Sequence, residues 1–145
     1  MIRRRVPDLV KARSMLNAAV IDMGFVEKLH VKSEAAQSIV RSVYENFRIL
    51  GDALLTAQGF ETVGADHHAQ MIDALTKLGI QTQRPLLLLH ELRKIRHKVN
   101  YEGYIPTEEE LKDILAIKEA LWQPVLAKVK QLIEGKSGAL PKNKK

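Results

Sequence analysis

Apolar residues recur at three- and four-residue intervals along most of this chain, and no segment sustains the two-residue alternation of a half-buried strand. The pattern predicts helices throughout. Pro7 suits the first turn of a helix running to about His30, with Leu9, Met15, Leu16, Ala19, Val20, Met23 and Val26 on its apolar side and Gly24 weakening its last turn. Ser33 is placed to cap a second, longer helix that ends before Gly59 and carries the stripe Ala36, Ile39, Val40, Val43, Phe47, Leu50 and Leu54. Gly51 within it costs helix propensity and allows a neighbouring helix to come close.

Residues 59–65 read as a loop, followed by a short helix from about Asp66 to Leu78 that buries Met71, Ile72, Leu75 and Leu78 and stops at Gly79. Pro85 fits the first position of a fourth helix carrying Leu86 to Leu89, Leu92, Ile95 and Val99, with Gly103 supplying the turn that ends it. For the fifth helix, Thr107 and Glu110 form a capping box, with Pro106 and Leu111 as the apolar pair on either side of it. This helix runs to Gly135, bent near Pro124, whose missing N–H breaks the local ladder. The predicted fold is therefore all-α: an up-and-down, antiparallel bundle of four or five helices forming one domain over residues 1–135, with residues 136–145 a basic, disordered tail.

Charge changes this picture little. The net charge is +6, but Arg3, Arg4 and Arg5 supply three positive charges and Lys136, Lys142, Lys144 and Lys145 four more, leaving a net charge of −1 over residues 6–135. Such end runs usually form solvated tails, so the overall charge supports nucleic-acid binding only weakly, as added salt-dependent affinity. With no cysteine in the chain, disulfides and thiolate metal sites are excluded, which fits a reducing cytoplasm. Asp8, Lys11 and Arg13 interrupt any apolar leader, and no apolar run approaches the ~18 residues of a membrane span, so the expectation is a cytoplasmic chain with no membrane partner.

Phosphate-loop, dinucleotide-fold, nucleophile-elbow and His-Glu-x-x-His signatures are all missing. His67-His68 suggests a metal pair, but adjacent helical residues diverge by about 100°, so a polar helix start capped by Asp66 is the preferred reading, and no metal or cofactor is expected. His30 sits favourably at a helix end and needs no further role. The end of the fourth helix is richer. On a helical wheel Arg96 lies about 40° from Leu92, at the edge of the apolar stripe, with Arg93 and Asn100 on the same polar flank, His97 beyond Arg93, and Tyr101 and Tyr104 where the helix gives way. A guanidinium there requires a partner, either a carboxylate such as Glu45 or Glu91 or a ligand phosphate gripped by Arg93 and Arg96, with Tyr101 or Tyr104 stacking on a base.

The stretch Leu-Leu-His-Glu-Leu-Arg-Lys-Ile-Arg-His-Lys-Val-Asn-Tyr-Glu-Gly, following a long helix with Val-Tyr-Glu-Asn-Phe-Arg-Ile-Leu-Gly-Asp-Ala-Leu-Leu, resembles the HEPN domain of higher eukaryotes and prokaryotes. The resemblance spans roughly residues 6 to 133, with its distinctive part in the second helix and from Leu92 to Gly103. It implies a helical bundle acting as a homodimer and binding RNA or a nucleotide through Arg93, Arg96, Asn100, Tyr101 and Tyr104. It also implies a toxin–antitoxin or defence setting, in which a minimal nucleotidyltransferase is a candidate partner. Active members are metal-independent endoribonucleases that carry Arg, four to six intervening residues, then His. Here Arg96 takes the arginine position and Tyr101 stands where the histidine would begin, while His97 matches the polar residue just after the arginine. Since a tyrosine with a pKa of about 10 is a poor general base at neutral pH, the pattern favours holding a phosphate over cutting one, with Arg96, His97 and Tyr101 the catalytic candidates if cleavage occurs.

Overall fold

The computed structural model describes residues 2–29 and 33–138 of the chain. Five helices, α1 (Leu9–Val26), α2 (Ser33–Gln58), α3 (His67–Thr76), α4 (Leu88–Glu102) and α5 (Glu108–Gly138), form an all-α bundle. The two-stranded sheet of β1 (Ile2–Arg4) and β2 (Phe60–Thr62) is the only strand pairing among the described residues. The predicted tail beyond 138 and His30 itself lie outside the described residues, but α1, expected to run to about His30, ends at Val26, where Lys28 N and Leu29 N close a tighter turn on the carbonyls of Phe25 and Val26. No described helix is long and apolar enough to cross a membrane.

Helix α2 is the axis of the bundle and packs against each of the other four helices. All seven of its predicted stripe positions are buried, as the 3.6-residue period requires of a helix covered on a broad face. Against them pack Ala12, Leu16, Ala19, Met23 and Val26 of α1, Ile72 and Leu75 of α3, Leu89, Leu92 and Val99 of α4, and Leu111 to Ile133 of α5. On α1 the predicted stripe holds at Leu16, Ala19, Met23 and Val26, with Leu9 and Met15 partly buried beside them, and fails at one position. Val20 is exposed, as are Ile21 and Phe25, because Ala12, Leu16, Ala19, Met23 and Val26 already form a complete stripe toward α2.

The cap chemistry predicted for α5 is present: Glu110 N donates to Thr107 Oγ1 at 3.1 Å, Thr107 N donates to Glu110 Oε1 at 2.9 Å, and Pro106 and Leu111 are both buried beside the cap. Helix α5 then continues past Gly135 to Gly138, with Pro124 inside it. At the other end of the connection Gly103 adopts φ +65° and closes α4, while Tyr104 N donates to Lys98 O at 3.3 Å. Helix α4 starts later than predicted. Residues 85–87 form a turn in which Pro85, Leu86 and Leu87 carbonyls accept from the amides three residues on, and regular helix begins at Leu88.

The sheet corrects two expectations. Residues 60–62 are a strand rather than loop, and Arg3 and Arg5 are not a solvated tail. Arg3 stands directly opposite Glu61 across the pair and bonds its carboxylate, and Arg5 Nη1 reaches the other oxygen at 3.1 Å. Three-residue strands are too short to leave a detectable alternation. Their pairing is set by the chain's return at Gly59, whose φ of +83° turns it back and whose carbonyl accepts from Arg5 N at 2.7 Å. Asp8, with its carboxylate accepting from Lys11 N at 2.9 Å, then caps α1.

Candidate functional site

A cavity of about 390 Å³ opens between α2, the first turn of α3 and the C-terminal half of α4. Its walls carry Tyr44 from α2, Asp66 to Ala69 at the start of α3, and Arg93, Arg96, His97 and Tyr101 from α4. The α4 residues share a face because they recur at three-, four- and eight-residue intervals from Arg93. Two ties hold α3 in place: His90 Nε2 of α4 meets Asp73 Oδ1 at 2.8 Å, and Arg48 Nη1 of α2 reaches the Met71 sulfur at 3.1 Å.

The partner expected for Arg96 is taken. Glu45 is gripped by Arg48, Nε to Oε1 at 2.7 Å and Nη2 to Oε2 at 2.8 Å, and the other candidate, Glu91, pairs with Lys94 at 3.2 Å. A carboxylate one turn away on the same helix reaches Arg48 with little ordering, which the longer reach across helices cannot match. Arg96 instead lies over the ring of Tyr44, 5.4 Å from its centroid, and among the described residues no carboxylate is within salt-bridge distance of Arg93 or Arg96.

Two polar atoms around the cavity are buried without a hydrogen-bond partner among the described residues, the Nε of Arg93 and the hydroxyl of Tyr44. Each such atom loses its hydration without recompense, at about 1–3 kcal/mol. Burial, the dominant influence, raises the Tyr44 pKa above its usual value, partly offset by the charges of Arg96, Arg48 and Arg93, so the hydroxyl stays protonated and able to donate. Tyr44→Phe should therefore stabilise the protein by about 1 kcal/mol, read as a thermal midpoint about 2–4 °C higher. A midpoint at or below that of the wild type would mean the hydroxyl is hydrogen-bonded in solution.

Of the cavity's imidazoles, the two on α3 are not among the expected site residues. His67 and His68, expected from the sequence as a polar helix start, line the cavity with ring centroids 4.4 Å apart, and His68 is 6.3 Å from the Tyr44 ring. His68 is half-buried and its pKa falls to about 4, first through desolvation and then through repulsion by Arg48, His67 and Arg96, so it is neutral at pH 7. His97 and Tyr101 stack at 4.7 Å on the rim, where Tyr101 is 71% exposed. Asp66 is the one carboxylate on the wall, and it accepts from Gln70 Nε2 at 2.8 Å without capping α3 by its side chain. Among the described residues no three His, Asp or Glu side chains converge as a metal site.

Two predicted binding residues stand elsewhere. Asn100 points into a neighbouring groove, where its Oδ1 accepts from Arg41 Nε at 2.8 Å; Arg96 lies between this groove and the main cavity. Tyr104 ties the exit of α4 to the start of α5: its hydroxyl donates to Glu110 and its carbonyl accepts from Gln37 Nε2 at 3.1 Å. It does not line the cavity. The structure thus brings together Arg93, Arg96, His97 and Tyr101 of the expected set, adds Tyr44, His67 and His68, and sets Asn100 and Tyr104 apart. No family model matches the chain, and neither a curated protein nor a solved structure matches it.

Proposed function

We propose that this protein binds RNA or a nucleotide, holding a phosphate in the cavity between α2, α3 and α4. The observation that carries the reading is the pair of guanidiniums, Arg93 and Arg96, that face one cavity with no carboxylate of the described residues within salt-bridge distance of either. A phosphate presents the oxygens their planar forks are shaped to bind, and it would supply the missing acceptor for a buried N–H. The volume falls within the ~300–1,000 Å³ of small-molecule sites. At the rim, the exposed face of Tyr101 offers a platform for a base. The resemblance to HEPN domains supports the same residues, and in the homodimer it implies two such cavities would act together. A second reading, metal-independent cleavage of the bound RNA, draws support from the three imidazoles of His67, His68 and His97 around the same cavity.

The test is fluorescence anisotropy with a labelled single-stranded RNA of mixed sequence, at low and moderate salt. Wild type should bind with an affinity that falls as salt rises. Arg96→Ala, if its circular dichroism matches wild type, should bind at least about tenfold more weakly, since a charge-assisted hydrogen bond is worth about 1.5–3 kcal/mol. Equal binding by the two proteins, or none by wild type, sinks the proposal. The same RNA run on a denaturing gel reports cleavage, and a product that vanishes in His97→Ala would favour the second reading.

A further inference from the structure

An empty cationic cavity with a neutral imidazole in its wall is poised to gain charge when an anion enters. Resting on the phosphate reading above, we propose that His68 takes up a proton from solvent when an oxyanion binds, and so becomes a third cationic donor to it beside Arg93 and Arg96. The geometry that supports this is the crowding of positive groups around a half-buried ring.

From α2, His68 is faced by Tyr44, by Arg48 and by Glu45, whose carboxylate is already bound to Arg48. On α3 itself it has His67 beside it and Asp66 two residues back, and from α4 it meets the field of Arg96, with Arg93 and His97 on the opposing wall. Burial first, and then the cations among these groups, which outweigh Glu45, hold the free protein's ring neutral, with a pKa of about 4. A doubly charged oxyanion placed between the guanidiniums cancels that repulsion and adds an attraction of its own, so the protonated ring becomes the favoured form. One proton leaves solvent for a ring nitrogen, no bond in the ligand is broken, and the nitrogen that gained the proton becomes a hydrogen-bond donor.

The sign follows directly. The bound anion raises the pKa of His68 in the complex above that of the free protein, so affinity for a fixed anion rises as pH falls between those two values and is level outside them. Sulfate is the probe, because its charge is constant over this window and any proton taken up belongs to the protein. Sulfate should be titrated calorimetrically into the full chain at about pH 6 and about pH 7.5, in two buffers of different ionisation heat. Wild type should take up close to one proton per sulfate at the lower pH and bind several-fold more tightly there. His67→Gln should keep the uptake and His68→Gln should lose it.

Uptake that persists in His68→Gln, or wild-type binding with no uptake, overturns the assignment while leaving the phosphate cavity standing. A wild type that binds no sulfate at either pH removes the cavity reading as well. Should His68→Gln fail to fold, the ring nitrogen shifts of His68 in wild type, with and without sulfate near pH 6, decide the matter; a ring that stays neutral in both overturns the proposal.

Discussion

Gly51→Ala should cost the protein about 2–3 kcal/mol and disorganise the cavity, although it replaces the second-poorest helix former with the best. A Cβ at this position would stand 2.2 Å from the backbone oxygen of Met71 and 2.8 Å from its carbonyl carbon. These are main-chain atoms of α3, so no rotamer change relieves the contact and the two helices must separate. The gain in helix propensity, about 1 kcal/mol, is outweighed. Gly24→Ala on α1 is the control: nothing lies within 4 Å of its added Cβ, and the same substitution should there stabilise by about 0.5–1 kcal/mol. Urea unfolding of both variants measures the difference, and equal stabilities would show that the α2–α3 approach is not as close as described. Since α3 carries His67 and His68, the Gly51 variant should also lose sulfate affinity.

The next largest effect is expected at the centre of the core. Phe47 is fully buried on α2 and meets Trp122 of α5 edge to face, ring centroids 5.2 Å apart at 87°. Phe47→Ala removes a whole ring from close-packed surroundings, and the partly collapsed void should cost about 3–5 kcal/mol. Against a typical total of ~5–15 kcal/mol, this is enough to leave a measurable unfolded fraction at moderate temperature. Phe47→Leu, which keeps most of the volume and loses the aromatic edge, should cost roughly half as much or less. Trp122 is the chain's single tryptophan, so its fluorescence reports the transition directly. A loss below about 1 kcal/mol in the alanine variant would mean that α2 and α5 do not meet there.

Local chemistry was readable in the sequence wherever one segment determined its own outcome. The apolar stripe of α2, the Thr107–Glu110 box and the left-handed turn at Gly103 all follow from residues near one another in the chain. What the sequence hid were choices between partners. Glu45 had two arginines within plausible reach, and the one on its own helix took it, which left Arg96 to the Tyr44 ring. Asn100 shared a helical flank with Arg93, but Arg41 drew it into the next groove. His67 and His68 gave no sign of their place in the cavity, because that place depends on how α3 seats on α2 and α4. The strand pair was hidden for the same reason: Ile2–Arg4 and Phe60–Thr62 have no meaning as strands until Gly59 and the start of α1 bring them side by side.

Arg48, clasped by Glu45 and resting on the Met71 sulfur, has most of its hydrogen-bonding capacity engaged, so it acts less as a contact than as a standing voltage. Its charge reaches His68 more strongly than the opposing charge of Glu45 does. On the phosphate reading, the Arg48–Glu45 pair would bias the ring at short range while the guanidinium forks on α4 meet the ligand directly. Substitution within that pair would then change the ring's charge without disturbing a single atom that the ligand touches.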